Sequence, residues 1–119
     1  MNKKIEIVKK YFRLSDIASK NNHALEEIID LFSEQAIIKN KNGKDFNKHS
    51  DIVKFFKNFF KRNQELKHIC NVLIINNQYK AEWSVAGQKY DQSLFALHGF
   101  DYYKFDNDNK ITFLQIKIV

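Results

Sequence analysis

The sequence predicts an α+β protein in which three N-terminal helices pack on one face of a strongly curved, mostly antiparallel sheet around an interior pocket. Three observations predict it. Helical periodicity is confined to roughly the first half of the 119 residues. From Leu66 onward only strand-like stretches occur, with no crossover helix between them, so consecutive strands pair as a meander. The stretch 94–110, LFALHGFDYYKFDNDNK, reads as one long strand running into a polar turn.

The first helix is expected over 3–20. At 100° per residue, Ile7, Val8, Tyr11, Phe12, Leu14 and Ala18 share one arc, and charged residues share the other. Tyr11 falls near the middle of the apolar arc, which should carry its hydroxyl inside. Asn22 is expected to cap a second helix, with Glu26 and Glu27 in its first turn favoured by the helix dipole. Ala24, Leu25, Ile28, Ile29 and Phe32 form its apolar side. A short strand follows at 36–40, and Asn42-Gly43 signals a two-residue hairpin returning through Asp45-Phe46. Ser50 is expected to cap a third helix reaching about Asn63, with Ile52, Val53, Phe55, Phe56, Phe59 and Phe60 on its apolar arc.

Strands are then expected over 66–75, 78–86, 90–105 and 111–119, with turns at Asn76-Asn77, at Gly87 and at 106–109. Alternation along the long strand puts Phe95, Leu97, Gly99, Asp101, Tyr103 and Phe105 on one face. Asp101 therefore points into apolar space, where a carboxyl is costly unless neutral, paired or hydrogen-bonded. Tyr11 is independently expected in the same interior. Two accounts of the pair stand side by side: a structural hydrogen bond that satisfies both groups, or a proton-donating pair with the carboxyl pKa raised by desolvation.

The totals narrow the function classes. At 14.2 kDa the chain is expected to form one domain over 1–119. Eleven Phe, five Tyr and one Trp suit a lined cavity as well as a dense core. No apolar run approaches the roughly 20 residues of a membrane helix, so no membrane partner is expected. The start, MNKKIEIVKKYF, has no signal-peptide pattern, and Cys70 stands alone, so the cytoplasm is the expected compartment. The net charge of +6 arises in residues 39–67, which hold nine basic and three acidic side chains. Lys54, Lys57 and Lys61 there recur opposite an apolar arc, as on any solvated helix. With no recognition motif and no Gly-rich phosphate loop, nucleic acid is not an expected partner.

Metal chemistry finds no pattern either. The turn Asp106-Asn107-Asp108-Asn109 begins like a calcium loop, but Ile111 and Lys117 stand where such a loop needs Gly and Glu. His23, His49, His68 and His98 lack ligand spacing, with His98 expected on the face opposite Asp101 and His68 able to reach either face. No metal and no cofactor is expected.

Taken in order and spacing, the N-terminal YF…D, ALEEIIDLFSEQAIIKN, DIVKFFKNFF, AEWSVAG and HGFDYYKFDNDNKI resemble the SnoaL-like branch of the nuclear transport factor 2-like (NTF2-like) superfamily, related to polyketide cyclases and ketosteroid isomerases. The resemblance covers nearly the whole chain. It implies a cone of three helices in the concave side of a bent sheet, an apolar pocket for a small hydrophobic ligand, and a homodimer through the outer sheet face. It also implies roles. Asp101 matches the acid/base aspartate of the cyclases, and Tyr11 with Asp101 matches the oxyanion hole of the isomerases. Asn40 falls where the isomerases carry their general base, and an amide cannot abstract a proton, so steroid isomerisation is not expected. The Asp-Arg-Asp arrangement of related epoxide hydrolases finds no match, the only arginines being Arg13 and Arg62. The chemistry implied is cofactor-independent isomerisation or aldol-type cyclisation, with Asp101 and Tyr11 catalytic and Trp83, Phe95, Leu97, Tyr103, Phe56 and Asn40 lining the ligand. The other reading is a non-catalytic binding or dimerisation module that has lost its base.

Overall fold

The computed structural model describes residues 2–40 and 45–119. Its elements run α1 (Lys3–Ser15), α2 (Asn22–Asp30), β1 (Phe32–Lys39), β2 (Asp45–Phe46), α3 (His49–Arg62), β3 (Asn63–Ile75), β4 (Gln78–Lys89), β5 (Leu94–Phe105) and β6 (Ile111–Ile118). The strands form one curved, open sheet in the order β2-β1-β6-β5-β4-β3. All neighbours are antiparallel except β1 and β6, which the helices and the late meander join as a parallel pair. The expected α+β cone is the observed architecture.

The helices cover the concave face. Val8 and Phe12 of α1, Ile28 of α2, and Ile52, Phe56 and Phe60 of α3 are buried against Ile38, Leu66, Ala81, Tyr103, Ile111 and Leu114 of the sheet. The helical arcs and the inward parity of the strands thus meet in one core, which is what the two periodicities require.

Several boundaries differ from the expected ones. Helix α1 ends at Ser15 rather than at residue 20: the Ser15 hydroxyl donates to the Tyr11 carbonyl at 2.8 Å, and Asp16 turns away to β3. The chain nonetheless keeps one more loose turn, with Ala18 N–H on the Leu14 carbonyl, so Ala18 stays buried. Asn21, not Asn22, caps α2, accepting from the Ala24 N–H. Phe32 opens β1 instead of closing α2, because the Leu31 carbonyl is taken by the Ile111 N–H and the chain joins the sheet there. Ser50 lies inside α3, whose cap position, Lys48, makes no side-chain hydrogen bond.

Helix α3 passes straight into β3 through the buried Asn63, whose side-chain amide donates to the Phe59 carbonyl. The Asn42-Gly43 hairpin lies outside the described residues, although Ile38 does face Phe46 across β1 and β2. Gly87 is not a turn but an interior residue of β4, with the Phe95 ring lying where its Cβ would be. The turn comes later, at 90–93, and β5 starts at Leu94.

Candidate functional site

The inward parity of four strands builds the floor of a cavity. Register sets Cys70 opposite Trp83, Trp83 opposite Gly99, Ala81 opposite Asp101 and Asp101 opposite Ile116. Helices α1 and α3 supply the roof with Tyr11, Phe12, Ser15, Phe55, Phe56, Phe59 and Phe60. The space enclosed is about 260 Å³ and largely apolar. That is close to the lower end of ligand cavities, roughly 300–1,000 Å³, and suits a one- or two-ring molecule.

Asp101 sits on this wall only 2% exposed. Trp83 Nε1–H donates to its Oδ1 at 2.8 Å, and the Tyr103 hydroxyl donates to its Oδ2 at 2.8 Å. Burial pushes the carboxyl up to about 7, against the opposing pull of the Tyr103 and Trp83 hydrogen bonds, which favour the charged form. Near neutrality a large share of Asp101 is therefore a carboxylic acid. Each of its oxygens accepts one protein hydrogen bond, and the carboxyl borders the cavity. Burial, together with the Asp101 charge, pushes the Tyr11 and Tyr103 hydroxyls well up, so both remain protonated donors.

Gly99 makes the Trp83 contact available. A Cβ at Gly99 would lie 2.5 Å from Cζ2 of the Trp83 ring and 2.4 Å from the Lys117 carbonyl oxygen. The indole therefore lies flat across β5 only because position 99 has no side chain.

Tyr11 lines the same cavity as Asp101, with its ring 6.0 Å from that of Tyr103. The phenol that hydrogen-bonds Asp101, however, is Tyr103, two residues along the same face of β5. Trp83, Phe95, Leu97, Phe56 and Asn40 all line the cavity. Tyr103 does not: at 1% exposure it lies behind Asp101 and supports the carboxyl rather than the wall. His98 faces the outer side, its Nε2 2.7 Å from Glu82. The Cys70 thiol is pushed up by burial, which disfavours the thiolate.

Two of the cavity residues outside the expected set carry basic groups. Arg62, at the end of α3, lies exposed at the rim. His68 faces inward, and Asp16 holds it: Oδ1 is 2.7 Å from Nδ1 and 3.0 Å from the His68 main-chain nitrogen. Among the described residues no three His, Cys, Asp or Glu side chains gather in a metal-binding group. No helix there is long and apolar enough to cross a membrane.

No protein-family model and no curated protein matches the sequence. Solved structures do. An NTF2-like protein of unknown function from Exiguobacterium sp. 255-15 superposes with a TM-score of 0.87 at 25% identity, over 95% of this chain and 98% of that one. The chain has the NTF2-like fold. A candidate SnoaL-like polyketide cyclase from Shewanella putrefaciens shares that NTF2-like fold at a TM-score of 0.79 and 12% identity, covering 99% of this chain and 90% of its own. The epoxide hydrolase/cyclase-like enzyme SalBIII of salinomycin pyran-ring formation gives 0.82 at 15% identity, covering 98% and 91%. At these identities the likeness to the cyclases is one of fold, and the chemistry of the NTF2-like cone has to be argued from its own side chains.

Proposed function

We propose that the cavity binds a small apolar molecule through a carbonyl oxygen, and that Asp101, as a neutral acid, donates a hydrogen bond to that oxygen with Tyr11 as a second donor. One observation carries this reading: a carboxyl 2% exposed on an apolar cavity wall, its two oxygens accepting from Trp83 and Tyr103 and its neutral form favoured by burial. Two donors converging on one carbonyl stabilise the enolate formed from it more than the ketone itself, which is the requirement for isomerisation or aldol-type cyclisation. Neither reaction needs a cofactor.

The test uses 2-acetylnaphthalene, a rigid two-ring ketone, with quenching of the single tryptophan, Trp83, as the signal. The ketone is expected to bind about fivefold more tightly than 2-isopropenylnaphthalene, which has the same planar shape without the oxygen; about 1 kcal/mol from one buried hydrogen bond gives that factor. Asp101→Asn should remove most of the preference. Equal affinities for the two compounds would sink the reading.

A non-catalytic binding module is the second reading. Asn40 on the cavity wall favours it, since resemblance puts the isomerase base at that position. The resemblance also supports a homodimer through the outer sheet face, where Ile69 is 79% and Leu73 45% exposed on the outward parity of β3. Ile69→Lys is then expected to weaken self-association at least tenfold by sedimentation velocity, leaving ketone binding unchanged. A wild-type chain monomeric at high micromolar concentration would remove the dimer from the proposal.

A further inference from the structure

We infer that the proton-abstracting base of this cavity is His68, held in place by Asp16, and that it works on a carbon beside the carbonyl bound at Asp101. The inference rests on the carbonyl-binding reading above and supplies the base which Asn40 cannot be.

The geometry is that of an oriented imidazole. Strand β3 is the sheet edge, so alternate N–H groups along it have no strand to pair with. The His68 N–H is one of these, and both Asp16 oxygens accept it, Oδ1 at 3.0 Å and Oδ2 at 3.2 Å. Oδ1 also lies 2.7 Å from Nδ1 of the ring. A carboxylate at Nδ1 holds a proton there, which leaves the lone pair of the neutral imidazole on Nε2. No described residue hydrogen-bonds Nε2. The ring is fixed between two cavity walls, 5.3 Å from Phe12 and 6.3 Å from Trp83 by centroids. Trp83 in turn hydrogen-bonds Asp101, so one indole touches both the imidazole and the acid. A base and an acid thus line one apolar chamber.

The step balances without a co-reactant. Nε2 takes a proton from the carbon next to the carbonyl, and the C–H electron pair becomes the enolate double bond. The negative charge goes to the oxygen that Asp101 hydrogen-bonds. The imidazolium, stabilised by Asp16, then returns its proton to the same carbon or to a conjugated one, giving exchange or isomerisation. Asp16 acts through His68 and is a positioning residue.

Hydrogen exchange tests this directly. Wild-type protein with 2-acetylnaphthalene in heavy water should replace the methyl protons by deuterium, seen as loss of the methyl NMR signal, at least 100-fold faster than buffer alone. His68→Gln should reduce that rate at least 100-fold while Trp83 quenching shows ketone affinity within about threefold. Asp16→Asn, which can still accept the His68 N–H, should reduce it at least tenfold. A purely structural clasp is separated from a base by His68→Ala, in which added 4-methylimidazole should restore exchange. Exchange at the wild-type rate in His68→Gln, or no rescue of folded His68→Ala, overturns the assignment. Wild-type binding without exchange overturns it too and leaves the binding-module reading standing. Wild-type protein that does not bind the ketone defeats the carbonyl reading and this inference together.

Discussion

Raising the pH from about 4 to about 7 is expected to lower the stability of the protein by up to roughly 4 kcal/mol through Asp101 alone. Its carboxyl titrates near the ordinary 3.8 in the unfolded chain and near 7 in the folded one. Between those values the folded state holds a proton that the unfolded state has released, so stability falls as pH rises. The contribution is complete below the unfolded pKa and lost by the time the folded pKa is passed. About three units at 1.36 kcal/mol each give the magnitude, as an upper figure. Asp91 works the other way, its carboxyl held low chiefly by the Ser93 hydroxyl and N–H, but it titrates below this window.

Asp101→Asn isolates the effect. The amide has the same shape; its oxygen can accept the Trp83 N–H, and its NH₂ can donate to a Tyr103 hydroxyl turned to face it. Urea midpoints of wild type minus variant should therefore fall steeply with pH over this window, with the variant the more stable protein at pH 8. Trp83 emission should titrate near pH 7 in the wild type and lose that step in the variant. Parallel midpoint curves would mean that Asp101 is not a buried acid in solution. The same group would then be a poor proton donor to any ligand.

What could be read in the sequence follows the range over which each signal acts. The inward placement of Asp101 follows from the two-residue period of β5, which is local backbone geometry and needs no partner. Tyr103 shares that face two positions away, so its bond to Asp101 was within reach of the same reading. The more distant Tyr11 is conspicuous in the sequence because its hydroxyl is the one polar group on an apolar arc. His68 was hidden for another reason. In LKHICNVLII both parities carry aliphatic residues, so alternation assigned no side. Its holder, Asp16, is 52 residues away and falls with the other charged residues on the polar arc of the helix expected over 3–20. The polar residues Lys67 and Asn71 lie on the outward parity; that weak bias is the one available clue. Gly87 and Gly99 show the limit most clearly. A glycine in a strand pattern signals either a turn or a close approach, and only the ring that crosses it decides which.

Gly99→Ala, the smallest possible change at that crossing, is expected to cost about 1–3 kcal/mol, the range for forcing a methyl into packed space. The new Cβ would stand 2.4 Å from the Lys117 carbonyl oxygen and 2.5 Å from the Trp83 ring. The carbonyl belongs to β6, paired here with β5 through Gly99 and Ile118, and can retreat only by fraying the last rung. The indole can retreat by rotating, but rotation withdraws Nε1 from Asp101 Oδ1. Losing that donor removes one of the two hydrogen bonds favouring the carboxylate, so the Asp101 pKa should rise above its wild-type position. The variant should thus show a lower urea midpoint, red-shifted Trp83 emission and a titration step displaced to higher pH. Ketone affinity should drop as well, since the acid that meets the carbonyl is no longer held by the indole. Gly87→Ala is the matched control: its Cβ would meet the Phe95 ring at 2.4 Å, a steric insult of the same kind without contact to Asp101. It should lower stability and leave the titration where it was. If both alanines move the titration alike, or neither does, the indole is not what tunes the acid, and the link between a bare glycine and the chemistry of this cavity is broken.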